Sequence, residues 1–258
     1  MPSGLTVTRI GQRPQLAQME RDWDEFFDPS EVASPFLIPG WQLSWLDTYG
    51  VKHRPFVLAA HLAGELVGLW PLALRRRGPF KVLDPIGAGP SDWLDILVRS
   101  NYREAVLSLF LRYLSENRSA WDLIEHRDVL ADSPNIPVLE SLCRAESLHM
   151  RRQPRTISPY LKINSTWEQF LSSKRAKFRS NLKYYRRLPE RNGQRLTIDR
   201  LPWGPDDKTV DTLAAVELRS WKAHDGNLKV TTRVGRDFYR GSADILPDGD
   251  CSKSGVLR

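Results

Sequence analysis

The stretch from Pro55 to Leu74 constrains the fold more than any other part of the chain, because it is almost continuously apolar over about the length that crosses a bilayer. It reads PFVLAAHLAGELVGLWPLAL, and Gly64-Glu65 interrupts it near the middle. The apolar runs on either side, Phe56–Ala60 and Leu66–Leu69, have the length of strands. The pattern predicts a buried β-hairpin, and no transmembrane segment is expected.

Segments with helical and strand-like patterns alternate on both sides of this hairpin. Apolar residues at helical spacing predict helices over residues 15–27, 41–46, 102–114 and 137–148, and short apolar runs predict strands over 82–86, 93–98 and 121–125. Helices that bracket short strands predict an α/β fold, with mixed, mainly antiparallel sheets flanked by helices.

Charge divides the chain into two parts. Residues 1–150 carry 15 Lys/Arg and 19 Asp/Glu, a net charge of −4, whereas residues 151–258 carry 23 and 12, a net charge of +11. The stretch from Arg151 to Pro159 is basic and interrupted by proline, as domain linkers often are. We therefore expect one domain over residues 1–150 and a second over 151–258, the second facing an anionic partner such as a coenzyme, nucleic acid or a membrane surface.

Cysteine and histidine usage argues against disulfides and metals. Cys143 and Cys251 lie far apart and have no pairing or ligand spacing, which fits a reducing compartment, and the five histidines are scattered. The first twenty residues contain no continuous apolar segment of the kind found in secretory signals. A cytoplasmic protein without a metal is expected.

A basic helix is the sharpest local feature of the second half. Ser165 or Thr166 is a good N-cap for a helix that begins at Trp167 and is predicted to run to Arg187, with a strand before it at Tyr160–Ile163. Residues 173–191 hold eight Lys/Arg and one acid. One arc of this helix carries apolar residues and the adjoining arc basic ones, namely Leu171, Phe178, Leu182 and Tyr185, and Arg175, Arg179, Lys183 and Arg186.

Three interpretations of the basic arc stay open. It is a solvated surface, an anion site in which the guanidinium forks of Arg175 and Arg179 contact phosphate or carboxylate, or a nucleic-acid surface with stacking aromatics. Nucleic acid is the least favoured partner, because no base-reading module is recognised.

Other candidate residues are weaker. The turn Arg75–Phe80 is similar to a pyrophosphate loop, but Pro79 removes an amide donor and strand follows it. The loop Gly87–Pro90 lacks a full dinucleotide fingerprint. Possible catalytic carboxylates are Asp92, Asp95 and Asp122, and aromatic residues that line a groove or fill the core are Trp41, Trp45, Trp70 and Trp93. No nucleophile elbow is present, and the sequence assigns no catalytic residue.

Taken in order, a series of short segments resembles one family. The segments are Pro35-Phe36-Leu37 with Trp41 and Trp45, Gly64–Leu72, Ile86-Gly87 with Ser91–Asp95, Trp121-Asp122, Trp167–Leu171 and Lys177–Leu182. The series, over about residues 15–240, resembles the CelD-like acetyltransferases of the GNAT superfamily, which are associated with cellulose or exopolysaccharide biosynthesis. These are similar in layout to Fem-type aminoacyl transferases, with two GNAT-like units in tandem.

The resemblance implies transfer of an acetyl or other acyl group from a CoA thioester to an amine or hydroxyl of a small-molecule or glycan-precursor acceptor. It implies an N-terminal unit without a clear coenzyme loop and a C-terminal unit that binds acyl-CoA, with Arg175 and Arg179 as anion contacts. The family's second unit extends beyond the length available here, so we expect this unit to be incomplete and the chain to be impaired or inactive. The alternative is a non-catalytic basic module that binds nucleic acid or an anionic membrane surface.

Overall fold

The computed structural model describes residues 2–27, 30–32, 34–157, 159, 161–162, 164–195 and 207–243. They form two compact units, one made of the residues up to 154 together with 207–243, and one of residues 155–195. In the first unit the strands are β1 (Leu5–Ile10), β2 (Arg54–Pro55), β3 (Val57–Leu62), β4 (Glu65–Trp70), β5 (Leu72–Arg77), β6 (Phe80–Pro85), β7 (Leu97–Val98) and β8 (Leu123–Ile124). Its helices are α1 (Arg13–Gln18), α2 (Glu20–Phe27), α3 (Pro39–Asp47), α4 (Arg103–Glu116), α5 (Asn135–Ala145), α8 (Asp207–Leu218), α9 (Trp221–His224) and α10 (Arg233–Ala243).

The strands of the first unit form two four-stranded sheets. Their orders are β1-β3-β4-β7 and β2-β5-β6-β8, and the pairs are antiparallel except β6 with β8. Helices flank these sheets, so the predicted α/β class with mixed, mainly antiparallel sheets is confirmed.

The predicted hairpin is the centre of the first sheet. β3 and β4 pair antiparallel around the turn Ala63-Gly64, where both residues have positive φ. Successive side chains of a strand point to opposite faces. Val57 accordingly joins the apolar cluster built with α1, α2 and α3, while Leu58 joins the cluster built with α4 and α5. Because helices cover both faces, the strands read as continuous apolar runs.

No helix in the described ranges has both the length and the apolar character that a membrane crossing requires.

Helix α4 approaches β4 so closely that a side chain at Gly68 has no space. A Cβ built on Gly68 would lie 2.4 Å from Cγ1 of Val106. Glycine at this position therefore sets the distance between helix and sheet.

The chain passes from one sheet to the other at Pro71, which separates β4 from β5. The carbonyl of Pro71 accepts a hydrogen bond from the amide of Ile86 at 2.9 Å, just beyond the end of β6. The end of β6 is thereby fixed against the crossing point.

A crossover through α4 makes β6 and β8 the parallel pair of the second sheet. Val82 is opposite Leu123 and Leu83 opposite Ile124. The amide of Glu125, just after β8, donates to the carbonyl of Leu83 at 2.9 Å, and farther along both segments the amide of Leu94 donates to the carbonyl of Asp128 at 3.0 Å. The residues that follow the two strands therefore stay in contact.

Residues 207–243 pack on the N-terminal residues. Phe238 of α10 is fully buried, with its ring 4.7 Å from Trp41 and 5.3 Å from Tyr49. The carboxylate of Glu217 accepts the amides of Lys229, Val230 and Thr231, which fixes the loop before α10. The compact units therefore do not coincide with the ranges 1–150 and 151–258, and the tandem arrangement of domains stays a prediction.

The second unit contains α6 (Trp167–Ser172) and α7 (Ala176–Arg191). Thr166 and Gln169 form a reciprocal capping box at the start of α6, as expected. The single helix predicted to Arg187 is interrupted, because Arg175 has an extended conformation with φ −58° and ψ 150°. Helix α7 also runs past the predicted end and stops before Gly193, which has φ +66°.

Other sequence predictions differ in extent. The predicted helix 15–27 is divided at Met19 into α1 and α2, and the strands expected over 93–98 and 121–125 are reduced to β7 and β8. Strand β1 was not predicted from the sequence, although apolar and polar residues alternate along it, which is a pattern typical of strands. The expected strand at Tyr160–Ile163 falls partly outside the described residues, and Leu161 and Lys162 are not in a strand.

Candidate functional site

A cavity of about 290 Å³ lies among the segments that precede α3, follow β6 and follow β8. Loops that follow the strands of α/β sheets are common places for ligands to bind. Three chain segments line the cavity: Glu31, Val32, Ser34 and Pro35 before α3; Trp93 and Asp95 after β6; and Leu130, Asp132, Ser133 and Pro134 after β8.

Trp93 forms the aromatic wall of the cavity. Its backbone lies in the left-handed region, with φ +47°, which is uncommon for a bulky residue. The hydroxyl of Ser34 donates to the Trp93 carbonyl at 2.8 Å, and the ring of Phe36 meets the indole edge-on at 6.2 Å between centroids. With these contacts made, 39% of Trp93 is still exposed. An aromatic surface is thus held open in a fixed orientation.

The carboxylate of Asp95 is buried at the base of this arrangement. One oxygen accepts the side-chain amide of Asn135 at 2.9 Å and the amide of Ile96 at 2.7 Å. The other oxygen accepts the hydroxyl of Ser133. All three donors are uncharged groups, so the side chain of Asp95 is held by hydrogen bonds rather than by an ion pair.

Arg103, at the start of α4, joins two of the lining segments. It pairs with the carboxylate of Glu31 and donates to the side-chain oxygen of Asn135 at 3.2 Å. The hydrogen bonds from Arg103 and from Ser100 lower the pKa of Glu31. Glu31 is therefore ionised at neutral pH and largely offset by one arginine.

His126, which is partly buried, adjoins this network. Burial lowers the pKa of His126, against the opposing charges of Asp95 and Asp128. Its ring packs 5.8 Å from Trp70. The imidazole of His126 is therefore uncharged at neutral pH.

A second charged cluster also lies near the ends of β6 and β8, but its acidic and basic side chains form ion pairs with one another. Glu125 pairs with Arg75, Arg77 and Arg127, and Arg75 also pairs with the buried Asp84. Burial raises the pKa of Glu125, but its hydrogen bonds from Arg127 and Arg77 outweigh this and lower it. We interpret the cluster as structural, because its ion pairs are internal.

The two predicted anion contacts lie in the second unit. Arg175 is exposed. The guanidinium of Arg179 donates to the backbone carbonyls of Ser172 and Lys174, which close the end of α6. Their role in binding an anion stays a prediction.

Neither glycine-containing loop has the form of a phosphate cradle. Residues 77–80 make the tight turn between β5 and β6, the interpretation that the sequence favoured over a pyrophosphate loop. In the loop after β6, the amide of Ala88 donates to Pro85 and that of Ser91 to Gly87. The carbonyl of Ala88 accepts the indole of Trp45 at 3.0 Å, so this loop is tied to α3.

The other carboxylates and tryptophans that the sequence offered as candidates differ in their burial and contacts. Asp95 lines the cavity, whereas Asp122 accepts the amide of Lys81 at 2.6 Å and Asp92 is exposed. Trp45 and Trp70 are core residues, with 2% and 3% exposed. Of the aromatics considered, Trp93 alone lines this cavity in the described part of the chain.

Sequence reasoning missed Glu31, Ser133 and Asn135. They lie on segments far from Asp95 in sequence, and the turn residues Asp132–Asn135 indicate a loop without indicating a site. These segments meet through the contacts of Arg103 with Glu31 and of Asp95 with Ser133 and Asn135.

Across the described ranges, no three His, Cys, Asp or Glu side chains are grouped so that they could hold a metal ion.

No protein-family model and no curated protein matches this chain. It is similar to a possible acetyltransferase from Clostridium difficile 630, with 11% identity, 62% of this chain and 99% of that chain covered, and a TM-score of 0.36. It is also similar to an aminoglycoside acetyltransferase from an uncultured soil metagenomic sample, with 14% identity, 61% and 99% covered, and a TM-score of 0.38. An aminoglycoside 6'-N-acetyltransferase from Acinetobacter haemolyticus gives 14% identity, 62% and 99% covered, and a TM-score of 0.34. At these scores the likeness carries no argument about function.

Proposed function

We propose that this chain is a GNAT-type acyltransferase that transfers an acyl group from a CoA thioester to an amine or hydroxyl of a small acceptor, and that the cavity at Trp93 holds the acceptor. The observation that carries the proposal is the cavity itself, which is lined by Trp93 and Asp95 from the loop after β6 and by Leu130–Pro134 from the loop after β8. A role in polysaccharide synthesis and a cytoplasmic location rest on the sequence alone.

The described residues do not fit the pyrophosphate of a CoA thioester. Such a site uses successive backbone amides at the start of a helix, which neutralise phosphate without ordering long side chains. In the first unit, the successive amides of Lys229, Val230 and Thr231 are taken by Glu217. We therefore assign the described residues to the acceptor side of the reaction and derive no step through the coenzyme.

Acetyl-CoA binding tests this assignment directly. Exposed charges such as Arg175 contribute about 0–1 kcal/mol each, whereas micromolar affinity requires roughly 8 kcal/mol. Isothermal titration at moderate salt should therefore show only weak binding, well short of micromolar affinity. Saturable micromolar binding would mean that the coenzyme site has been misplaced.

The proposed activity is tested with the full chain, millimolar radiolabelled acetyl-CoA and a panel of small amines and sugars. Transfer of label should occur and should be lost in Trp93→Ala, which removes the cavity wall. Trp221→Ala is the matched control, because Trp221 is 64% exposed and does not line the cavity. Absence of transfer to every acceptor, or equal transfer by both variants, would contradict the proposal.

The second unit supports a different candidate function, a basic module for an anionic partner. Helix α7 exposes Phe178, Tyr184 and Tyr185 beside its lysines and arginines. A steep loss of nucleic-acid or anionic-vesicle binding with salt, together with no acyl transfer, would favour this function.

A further inference from the structure

Helix α7 has an apolar face that the described residues leave exposed. None of its 16 residues, all of which the structure describes, is buried. Phe178, Leu182 and Tyr185 follow one another at intervals of four and three positions, so they lie on one side of the helix. Tyr185 is 64% exposed. A contiguous apolar surface that stays exposed in this way indicates a surface for a partner.

The apolar face continues from α7 onto α6 through aromatic contacts. The ring of Phe170 meets that of Phe178 edge-on at 6.4 Å and stacks on the indole of Trp167 at 5.6 Å between centroids. Trp167 is 57% exposed. Together the side chains form one row, which we call the apolar ridge: Trp167, Phe170, Phe178, Leu182 and Tyr185.

Basic side chains border the apolar ridge on both sides. At 100° per residue, Arg186 lies to one side of Phe178 and Lys177 to the other, and Lys183 lies beyond Arg186. All three basic side chains are exposed. Residues 155–195 carry eleven Lys or Arg and two acids. The surface therefore fits a partner that is both anionic and apolar.

A bilayer that contains acidic phospholipids has both properties. Its headgroup phosphates attract Lys and Arg, and the boundary of its acyl layer accepts apolar side chains. The amphipathic rings of Trp167 and Tyr185 lie at the ends of the ridge, and the wholly apolar Phe178 and Leu182 lie between them. Trp and Tyr favour the headgroup level of a membrane, so this order matches the depth profile of a bilayer.

Nucleic acid fits the same surface less well. Base stacking uses flat ring faces that are open to solvent. Phe170 stacks on Trp167, and the guanidinium of Arg191 lies over the ring of Tyr184 at 5.6 Å. Leu182 offers no ring for a base. These contacts favour a lipid surface over nucleic acid.

We propose that α6 and α7 bind the surface of a bilayer rich in anionic phospholipid, with the apolar ridge at the boundary of the acyl layer and the lysines and arginines among the headgroups. The inference rests on the second candidate function above, whose anionic partner it names, and it does not require acyl transfer.

The test is co-sedimentation of the full chain with vesicles of phosphatidylcholine alone or with about 30% phosphatidylglycerol. Binding to the anionic vesicles should be at least about tenfold stronger and should weaken as salt increases. Lys183→Gln should weaken this binding about fivefold, because one charge near the headgroups is lost. Lys52→Gln, which removes an exposed lysine of the first unit, is the control and should change nothing.

A second pair of variants separates the apolar ridge from charge alone. Phe178→Ser keeps the charge and should weaken binding to anionic vesicles about tenfold, with far-ultraviolet circular dichroism to check the helices. Phe80→Ser is the matched control, because Phe80 is an exposed phenylalanine outside α6 and α7. Lipids with brominated acyl chains should quench tryptophan fluorescence, and Trp167→Phe should remove most of the quenching.

No binding to anionic vesicles, or equal binding by Phe178→Ser and the parent, would show that the inference is wrong. Tighter binding to a single-stranded oligonucleotide than to anionic vesicles would overturn it and leave a basic module with nucleic acid as its partner. Acyl transfer without vesicle binding would also overturn it and leave the acyltransferase proposal. Vesicle binding without transfer to any acceptor would support this inference and contradict that proposal.

Discussion

The cavity at Trp93 and the basic helix α7 both contain candidate functional residues, but their side chains are held in different ways. Asp95 is buried and bonded to three donors, and Trp93 is fixed through its own carbonyl. In α7, Arg175 is exposed, and Arg179 is used to close the end of α6.

The cavity is therefore an ordered site, whereas helix α7 is a charged surface. A ligand of the cavity meets groups whose positions are already set, so little binding energy is lost in ordering them. A ligand of α7 must order long, flexible side chains, and each exposed charge contributes little. A dense run of charge in a sequence is therefore a weaker sign of a site than one buried carboxylate.

The largest expected effect is that of Asp95→Ala. It leaves the hydroxyl of Ser133 and the amide of Ile96 without an acceptor in a buried place and removes one of the two acceptors of the Asn135 side chain, so the free energy of unfolding should fall by about 2–4 kcal/mol. Urea denaturation measures this. The surface variant Asp24→Ala should stay within about 0.5 kcal/mol of the parent. Equal stability of the two variants would remove the distinction between the regions.

The next largest expected effect is a dependence of the free energy of unfolding on pH, and it is confined to the first unit. Burial lowers the pKa of His126 and of His53, so the unfolded chain binds protons more readily than the folded one. The contribution of these histidines to stability is therefore fully present above their pKa in the unfolded chain, about 6.5. It is lost as the pH falls toward their lower pKa in the folded chain, by at most about 1.4 kcal/mol per pH unit for each histidine.

Denaturation between pH 7.5 and 5 should show this loss, and His126→Gln should reduce its slope. His149→Gln is the control, because His149 is exposed. Residues 155–195 contain no histidine, so amide exchange there should show no matching change. A slope that His126→Gln leaves intact would contradict the assignment.

Local patterns in the sequence predicted much of the first unit. The spacing of apolar residues and the position of turn residues predicted the hairpin β3–β4, the helix α4 and the α/β class. Both are properties of neighbouring positions in the chain. The site was predicted only in fragments, Trp93 and Asp95 among several equal candidates. Its geometry depends on hydrogen bonds between residues distant in sequence, such as Ser133 with Asp95, and on the left-handed backbone of Trp93, and neither has a local signature.

The smallest expected effects are in α6 and α7. Arg179→Ala should lower the protection of amides at the junction of the helices by about 0.5–1 kcal/mol, since two carbonyls lose a donor. Arg175→Ala should change stability by less than about 0.5 kcal/mol. Hydrogen exchange measures both. A larger effect for Arg175 would indicate that the exposed arginine has a structural role.

The short pairing of β6 with β8 also has a consequence for the order of folding. The hairpin β3–β4 joins residues that are adjacent in the chain, whereas Val82 meets Leu123 only after all of α4 has been placed. Closing a long loop delays contacts between distant residues. We expect the hairpin to form early and the parallel pair to close late, so that the cavity is among the last parts of the molecule to be assembled. A newly synthesised chain would then be compact before it can bind a ligand.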